Sequence, residues 1–250
     1  MTDTLCRVVV SLLCSVSVTA VAQDAPAIPA EGVIAYYPFN GNASDEAGDC
    51  DGQVRGAVPT QDRFGNDDRA YQFDGIDDDI IIDPPPELSR DGLTISVWAR
   101  FDLSEIGGVW QEEGAEWRHP IIGQDDGIAI RIFQLHLNDR RICWHRLFWY
   151  TSECCEWQAE SDRWYHIAVV WDGEMQTHSL YVDGAMEQEG EGRFNVCRCQ
   201  PIHIGSKGEL GKQTVFFSGA IDDIRIYNRA LADDEIMALY GEGGWTGAER

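Results

Sequence analysis

The chain reads as an all-β protein, one antiparallel sandwich or barrel closed by a single short C-terminal helix. Three observations predict this. Six Asp-Gly dipeptides punctuate the sequence at 51–52, 74–75, 91–92, 126–127, 172–173 and 183–184. Glycine enters the left-handed region without strain, and Asp tolerates it better than most residues, so Asp-Gly is a preferred hairpin corner. The segments between these corners alternate with period two, most cleanly in LTISVWARF at 93–101. There Leu93, Ile95, Val97, Ala99 and Phe101 face one way, and Thr94, Ser96, Trp98 and Arg100 the other, which predicts a half-buried strand. Helical spacing is confined to 233–240, where Ile236, Leu239 and Tyr240 share a face and Gly241 can end the helix.

The elements follow in order. Residues 1–22 have an Arg7 flank, an apolar run at 8–18 and small residues at 20–22, which predicts a secretory signal peptide. A Pro/Ala linker covers 23–31 and a first strand 34–39. The polar run NGNASDEAGDCDG can only be loop. Strands are expected at 70–73 and 80–82 around an acidic turn, then at 93–101. An irregular acidic stretch at 102–119 holds Trp110 and Trp117. Further strands are expected at 120–123, 128–135 and 141–150. A Cys-rich turn, SECCEWQAESD, leads into WYHIAVVW at 164–171, followed by a hairpin at 177–182 and 185–189. The last strands fall at 202–205 and 219–227, and residues 242–250 read as a mobile tail.

The 250 residues suit one such domain, and 44% hydrophobic content supplies its core. The formal charge of −24 argues against nucleic acid and anionic membranes as partners. It permits cations. No segment after the signal could span a bilayer, so the mature chain is expected to be secreted, periplasmic or at the cell surface. Six cysteines follow residue 22: Cys50, Cys143, Cys154, Cys155, Cys197 and Cys199. An even count in an exported chain predicts three disulfides, with Cys197 and Cys199 reaching the region of Cys154 and Cys155. A zinc site at Cys197-x-Cys199 is the weaker reading, because the spacing is too short for a zinc knuckle. Asn42-Ala43-Ser44 fits a glycosylation acceptor.

Four stretches in this order, AYYPFNGNASDEAG, YQFDGIDDDIIID, WYHIAVVWDGEMQTHSLYVDG and GAIDDIRIYNRALADDEIMALY, resemble the laminin-G-like, concanavalin-A-like domains. The resemblance covers 32–241 and implies a two-sheet antiparallel jelly roll. It also implies a secreted module that binds glycans or protein partners and often holds calcium. Asn40, Asn42, Asp45 and Asp222 are the candidate ligands, since calcium takes hard oxygens. Relatives place an Asp equivalent to Asp222 beside calcium, and strict alternation would put Asp222 on the inward face of Ile224 and Ile226. Trp110 and Trp117 are the expected glycan-stacking pair, because aromatic faces suit sugar rings. Most other Trp, and His166, are expected to pack in the core. No nucleophile elbow or metal-binding helix motif occurs. Glu187, Glu189 and Glu191 alternate like a hydrolase acid pair, yet they follow a tight turn and read as a solvated edge. The expected function is therefore a non-catalytic, calcium-stabilised binding module. A structural or adhesive surface protein and a glycoside hydrolase of the same fold are the alternatives.

Overall fold

A computed structural model describes residues 27–104, 118–125, 131–138, 140–146, 152–192, 194, 200–207 and 215–247. In chain order the strands are β1 (Val33–Tyr37), β2 (Gly52–Arg55), β3 (Val58–Thr60), β4 (Ala70–Asp74), β5 (Asp79–Ile82) and β6 (Gly92–Phe101). Then come β7 (Arg118–Asp125), β8 (Arg131–Asn138), β9 (Arg141–Arg146), β10 (Ser152–Gln158), β11 (Trp164–Asp172) and β12 (Thr177–Val182). The series ends with β13 (Ala185–Glu191), β14 (Ile202–Ile204), β15 (Ser206–Lys207), β16 (Val215–Phe216) and β17 (Ser218–Tyr227). Helix α1 (Asp233–Tyr240) follows, with a 3₁₀ turn at Glu242–Gly244.

The eight-stranded sheet runs β13, β12, β11, β6, β17, β4, β3, with β1 also on β17. The seven-stranded sheet runs β10, β9, β8, β7, β14, β5, β2, and β15 pairs with β16. The pairings are antiparallel, as the jelly-roll reading requires. One main core fills the space between the large sheets. It takes Leu93, Ile95, Val97, Ala99 and Phe101 from β6, Phe133, Leu135 and Leu137 from β8, and Ile221, Ile224 and Ile226 from β17. The period-two expectation for β6 is met on this face.

The other face of β6 is not solvated as expected. Thr94, Ser96 and Trp98 are also buried, because α1 and the segment after it lie over this sheet. Ile236 and Leu239 pack on Ala168, Val170, Tyr181 and Tyr227, each contributing about 1.5–3 kcal/mol by leaving water. The Thr94 hydroxyl beneath the helix is fully partnered. Thr94 Oγ1 donates to Arg229 O at 2.8 Å and accepts from Leu231 N at 3.0 Å. At the helix start Ala232 offers no side-chain acceptor, but Glu235 reaches back to the Ala232 N–H at 3.0 Å. Arg229 clamps the same carboxylate at 2.7 and 2.6 Å.

Other expectations shift. Asp183-Gly184 forms a two-residue corner with φ of 49° and 79°, the conformation its composition favours. The segment read as a Cys-rich turn is largely strand β10, held in register with β9 (Cys154 opposite Cys143). β2 and β3 escaped notice because they are short and neither has a fully buried residue. The expected mobile tail is docked over its described part. Trp245 packs edge-on against Trp98 at 5.3 Å, and Glu242 binds Arg225.

Candidate functional site

The two sheets present different outer faces. On the eight-stranded sheet, β17 pairs with β4 through residue 221 and with β1 from residue 224. A β-bulge separates the two stretches. Asp223 sits there with φ of 45°, and one extra residue shifts the alternation. Ile221, Ile224 and Ile226 therefore point into the core, while Asp222 lies on the opposite face beside Trp98. This corrects the expectation that Asp222 shares the inward face of Ile224 and Ile226.

The loop between β3 and β4 delivers Arg63 to that bulge. Asp62 fixes the loop by accepting from Phe64 N and Asn66 N, both at 2.8 Å. The buried Arg63 guanidinium lies 4.5 Å from the Trp98 ring centre and 4.6 Å from that of Phe64. Its Nη1 donates to Asp222 Oδ2 at 3.1 Å and Asp223 Oδ2 at 2.5 Å. Tyr36 OH donates to Asp223 Oδ1 at 2.8 Å. Arg225 holds Glu242 through two bonds of 2.7 and 2.8 Å. Burial, and then the Asp223 carboxylate, push the Asp222 pKa up, with Arg63 opposing. His166 beneath Trp98 packs as expected, its Nε2 2.9 Å from Ser96 Oγ. Burial, then Arg63 and Arg225, push its pKa down to about 3.

The outer face of the seven-stranded sheet is built otherwise. Ile80, Ile82, Ile202 and Ile204 point inward, so Asp79, Ile81 and His203 belong to the outer face. Gln53, Ile81 and His203 stand in register across β2, β5 and β14. Asp79, only 2% exposed, lies beside them. It accepts from Arg55 Nε at 2.6 Å, from Arg55 Nη2 and from Ser206 Oγ at 2.9 Å. His203 Nδ1 is 3.6 Å from Asp79 Oδ2 and 3.5 Å from Ser206 Oγ. Burial alone would raise the Asp79 pKa, but hydrogen bonding to His203, Arg55 and Ser206 outweighs it and holds the carboxyl near 2. The side chains of Arg55 and His203 remain 53% and 27% exposed.

The four candidate calcium ligands have protein partners. Asp45 accepts from Tyr36 N, Ala47 N and Cys50 N at 2.9, 3.0 and 3.3 Å. Asn40 Oδ1 takes Arg69 Nη1 at 2.6 Å, and Asn42 Oδ1 takes Ser44 N at 2.8 Å. Arg63 supplies to Asp222 the positive charge that the sequence reading sought in calcium. Among the described residues, one group of three carboxylates is close enough to share an ion, Asp74 at the end of β4 with Asp77 and Asp78 of the following turn. The cysteine framework is narrower than expected. Cys143 and Cys154 are bonded across β9 and β10, while Cys50 and Cys155 carry free thiols. Cys155 points into the core, opposite in sense to its neighbour. Cys197, Cys199, Trp110 and Trp117 lie outside the described residues. Trp98, Trp144 and Trp171 are core, as expected. Glu187 and Glu189 are exposed on β13, an edge strand of the eight-stranded sheet.

Reasoning from sequence missed Arg63, Asp79, His203 and Ser206. For His203 and Asp79 a signal existed. Ile-His-Ile at 202–204 and the alternation through 79–82 put both polar residues on one outer face.

The profile of the laminin G family described as the concanavalin A-like lectin/glucanases superfamily matches residues 74–237. Solved structures share the fold. The fourth domain of an extracellular GH43 arabinanase from Geobacillus stearothermophilus, in complex with arabinotriose, is 17% identical with a TM-score of 0.61, covering 83% of this chain and 98% of that one. A Trypanosoma rangeli sialidase mutant displaying trans-sialidase activity is 16% identical with a TM-score of 0.61, over 86% of this chain and 33% of its own. The binding domain of botulinum neurotoxin serotype D is 14% identical with a TM-score of 0.61, over 85% and 52%. No curated protein sequence matches.

Proposed function

This chain belongs to the concanavalin A-like lectin/glucanase superfamily, and from that premise we propose that it is an exported, non-catalytic module recognising an extracellular glycan or protein. One observation carries the reading. Helix α1 and the segment after it occupy the outer face of the eight-stranded sheet. The seven-stranded sheet instead presents the partly exposed polar group of Gln53, Arg55 and His203, ordered from below by Asp79. Recognition by a sandwich needs a face that secondary structure has not already covered. The arabinanase domain, of the same fold and nearly the same length, carries arabinotriose in its complex, which supports a glycan as the first ligand class to try.

The position of the acids supports binding without catalysis. Glycoside hydrolysis needs two carboxyl groups facing each other across the bond. Glu187 and Glu189 stand on a solvated edge strand, where water screens their mutual effect. Calcium is left out of the proposal, because Asp45, the carboxylate of the oxygen-rich loop before β2, already accepts from three backbone N–H groups. Secretion accords with the Cys143–Cys154 bond. Among the described residues no helix is long and apolar enough to cross a membrane. The deciding experiment is a glycan array probed with the chain from residue 23 onward, with and without calcium. Saturable binding supports the reading. Glycan cleavage by the parent chain, lost when Glu187, Glu189 and Glu191 are changed to Gln, replaces it with the hydrolase alternative.

A further inference from the structure

We infer that His203 is the polar anchor of a binding site for a neutral saccharide presenting adjacent hydroxyls, on the outer face of the seven-stranded sheet. This deepens the recognition reading and rests on it. The argument begins with the proton. Ser206 Oγ donates its one hydrogen to Asp79 Oδ2 at 2.9 Å. The two groups facing His203 Nδ1 are therefore oxygens with lone pairs to offer, at 3.5 Å for Ser206 Oγ and 3.6 Å for Asp79 Oδ2. A neutral imidazole so placed carries its hydrogen on Nδ1 and leaves Nε2 as an acceptor. The same device, a carboxylate orienting a histidine ring from behind, is how proteins hold histidines that bind through the other nitrogen.

Arg55 supplies the opposite function. Nε and one hydrogen of Nη2 serve Asp79, and a guanidinium has five N–H donors in all. With 53% of the side chain exposed, its remaining donors are available to a ligand. Ile81, in register with His203 and Gln53, adds an apolar floor that suits the C–H face of a sugar. An acceptor, a donor fork and a small apolar surface together match two neighbouring hydroxyls on a pyranose or furanose. Charge excludes the alternatives. Arg55 and Asp79 neutralise each other, so the spot has no surplus to hold a cation. A carboxylated sugar would approach against the −24 of the whole chain.

The test uses the chain from residue 23 onward on an array of neutral arabinose, xylose, glucose, galactose and mannose oligosaccharides beside uronic and sialic acid conjugates. The best neutral hit is then titrated by calorimetry against the parent and His203→Ala. The inference expects at least a fivefold loss of affinity in the variant and a melting temperature unchanged within about 2 °C, since the ring is partly exposed. Equal affinity in parent and variant overturns the His203 anchor while leaving the recognition reading intact. Binding confined to the acidic conjugates overturns the ligand class. No glycan binding by the parent removes the glycan reading, and this inference falls with it. Should His203→Ala lower the melting temperature further, the ring ¹⁵N shifts of the parent decide. An Nε2 signal that moves on saturation with the hit supports the anchor, and one that stays still overturns it.

Discussion

Replacing Arg63 by Met should cost this domain about 3–5 kcal/mol, the range for removing one partner of a buried ion pair. Methionine keeps most of the alkyl stem between Phe64 and Trp98 but withdraws the charge 3.1 Å from Asp222 and 2.5 Å from Asp223. Asp222 stays buried beside Trp98, which Tyr240 and Trp245 cover, away from the water that would otherwise solvate it, while Asp223 keeps 13% of its side chain exposed. The variant's stability should depend on pH with a definite sign. Asp222 already has a folded-state pKa raised by burial and by Asp223, and removing Arg63 raises it further. The folded variant therefore binds protons more tightly than the unfolded chain, whose Asp titrates near its ordinary 3.8. Its stability rises as pH falls toward that value, by about 1.4 kcal/mol per pH unit for each extra proton held. Urea unfolding followed by tryptophan fluorescence at pH 8 and pH 5 measures both effects. A deficit of several kcal/mol at pH 8 is expected, with the variant gaining stability from pH 8 to pH 5 as the parent does, because Asp222 is raised by burial in both. Adding Asp222→Asn and Asp223→Asn to the Met variant should recover part of it. A loss below about 1 kcal/mol, typical of a surface ion pair, or a variant whose stability does not rise from pH 8 to pH 5, would refute the claim that Arg63 compensates the buried Asp222.

His166 gives a second pH dependence of opposite sign. Its folded pKa of about 3 lies below the ordinary 6.5, so its stabilising contribution is complete above pH 6.5 and declines as pH falls toward 3. The decline should reach about 2 kcal/mol by pH 5. Because Asp222 slopes the other way, the readout is the difference between parent and His166→Leu across pH 7.5 to 5, and parallel curves would count against a buried neutral His166. The Cys143–Cys154 bond closes a loop of sequence separation 11. Changing both residues to Ser should cost about 3 kcal/mol on the chain-entropy scale, and a non-reducing peptide map that joins Cys143 to any other cysteine contradicts the pairing. For calcium, the partners already held by Asp45 and Asp222 lead us to expect that millimolar calcium moves the melting curve of chelator-treated protein by less than about 1 °C, since only binding to the folded state raises it. A larger rise that Asp222→Ala abolishes would restore the calcium site at that position.

Much of the fold is local chemistry and was legible as such. The alternation in 93–101 predicts the inward set of β6 residue for residue, because the side-chain period of a strand is fixed by backbone geometry. Asp183-Gly184 makes its corner because both residues accept positive φ. The face of α1 follows from Ile236 and Leu239 being three apart. The same kind of reading could have reached His203, flanked by Ile202 and Ile204, and Asp79, out of phase with Ile80 and Ile82. It did not, because a lone polar residue between two isoleucines says nothing about what stands across the next strand.

What the sequence by itself determined, then, is where the strands lie, which face of each is apolar, and the family they compose. What only the tertiary structure decided is which polar groups meet. Arg63 reaches Asp222 across 159 residues and Asp79 meets Ser206 across 127, separations over which no periodicity carries information. A bulge between Asp222 and Arg225 turned the alternation over, and a strand register cannot reveal a bulge until its partner strands are laid beside it. The outer face of β6 was read as solvated because its alternation was right. It is buried because α1, more than a hundred residues later, needs a surface on which to hide Ile236 and Leu239. Electrostatics and burial depend on distance in space, and only the closed sandwich sets that distance.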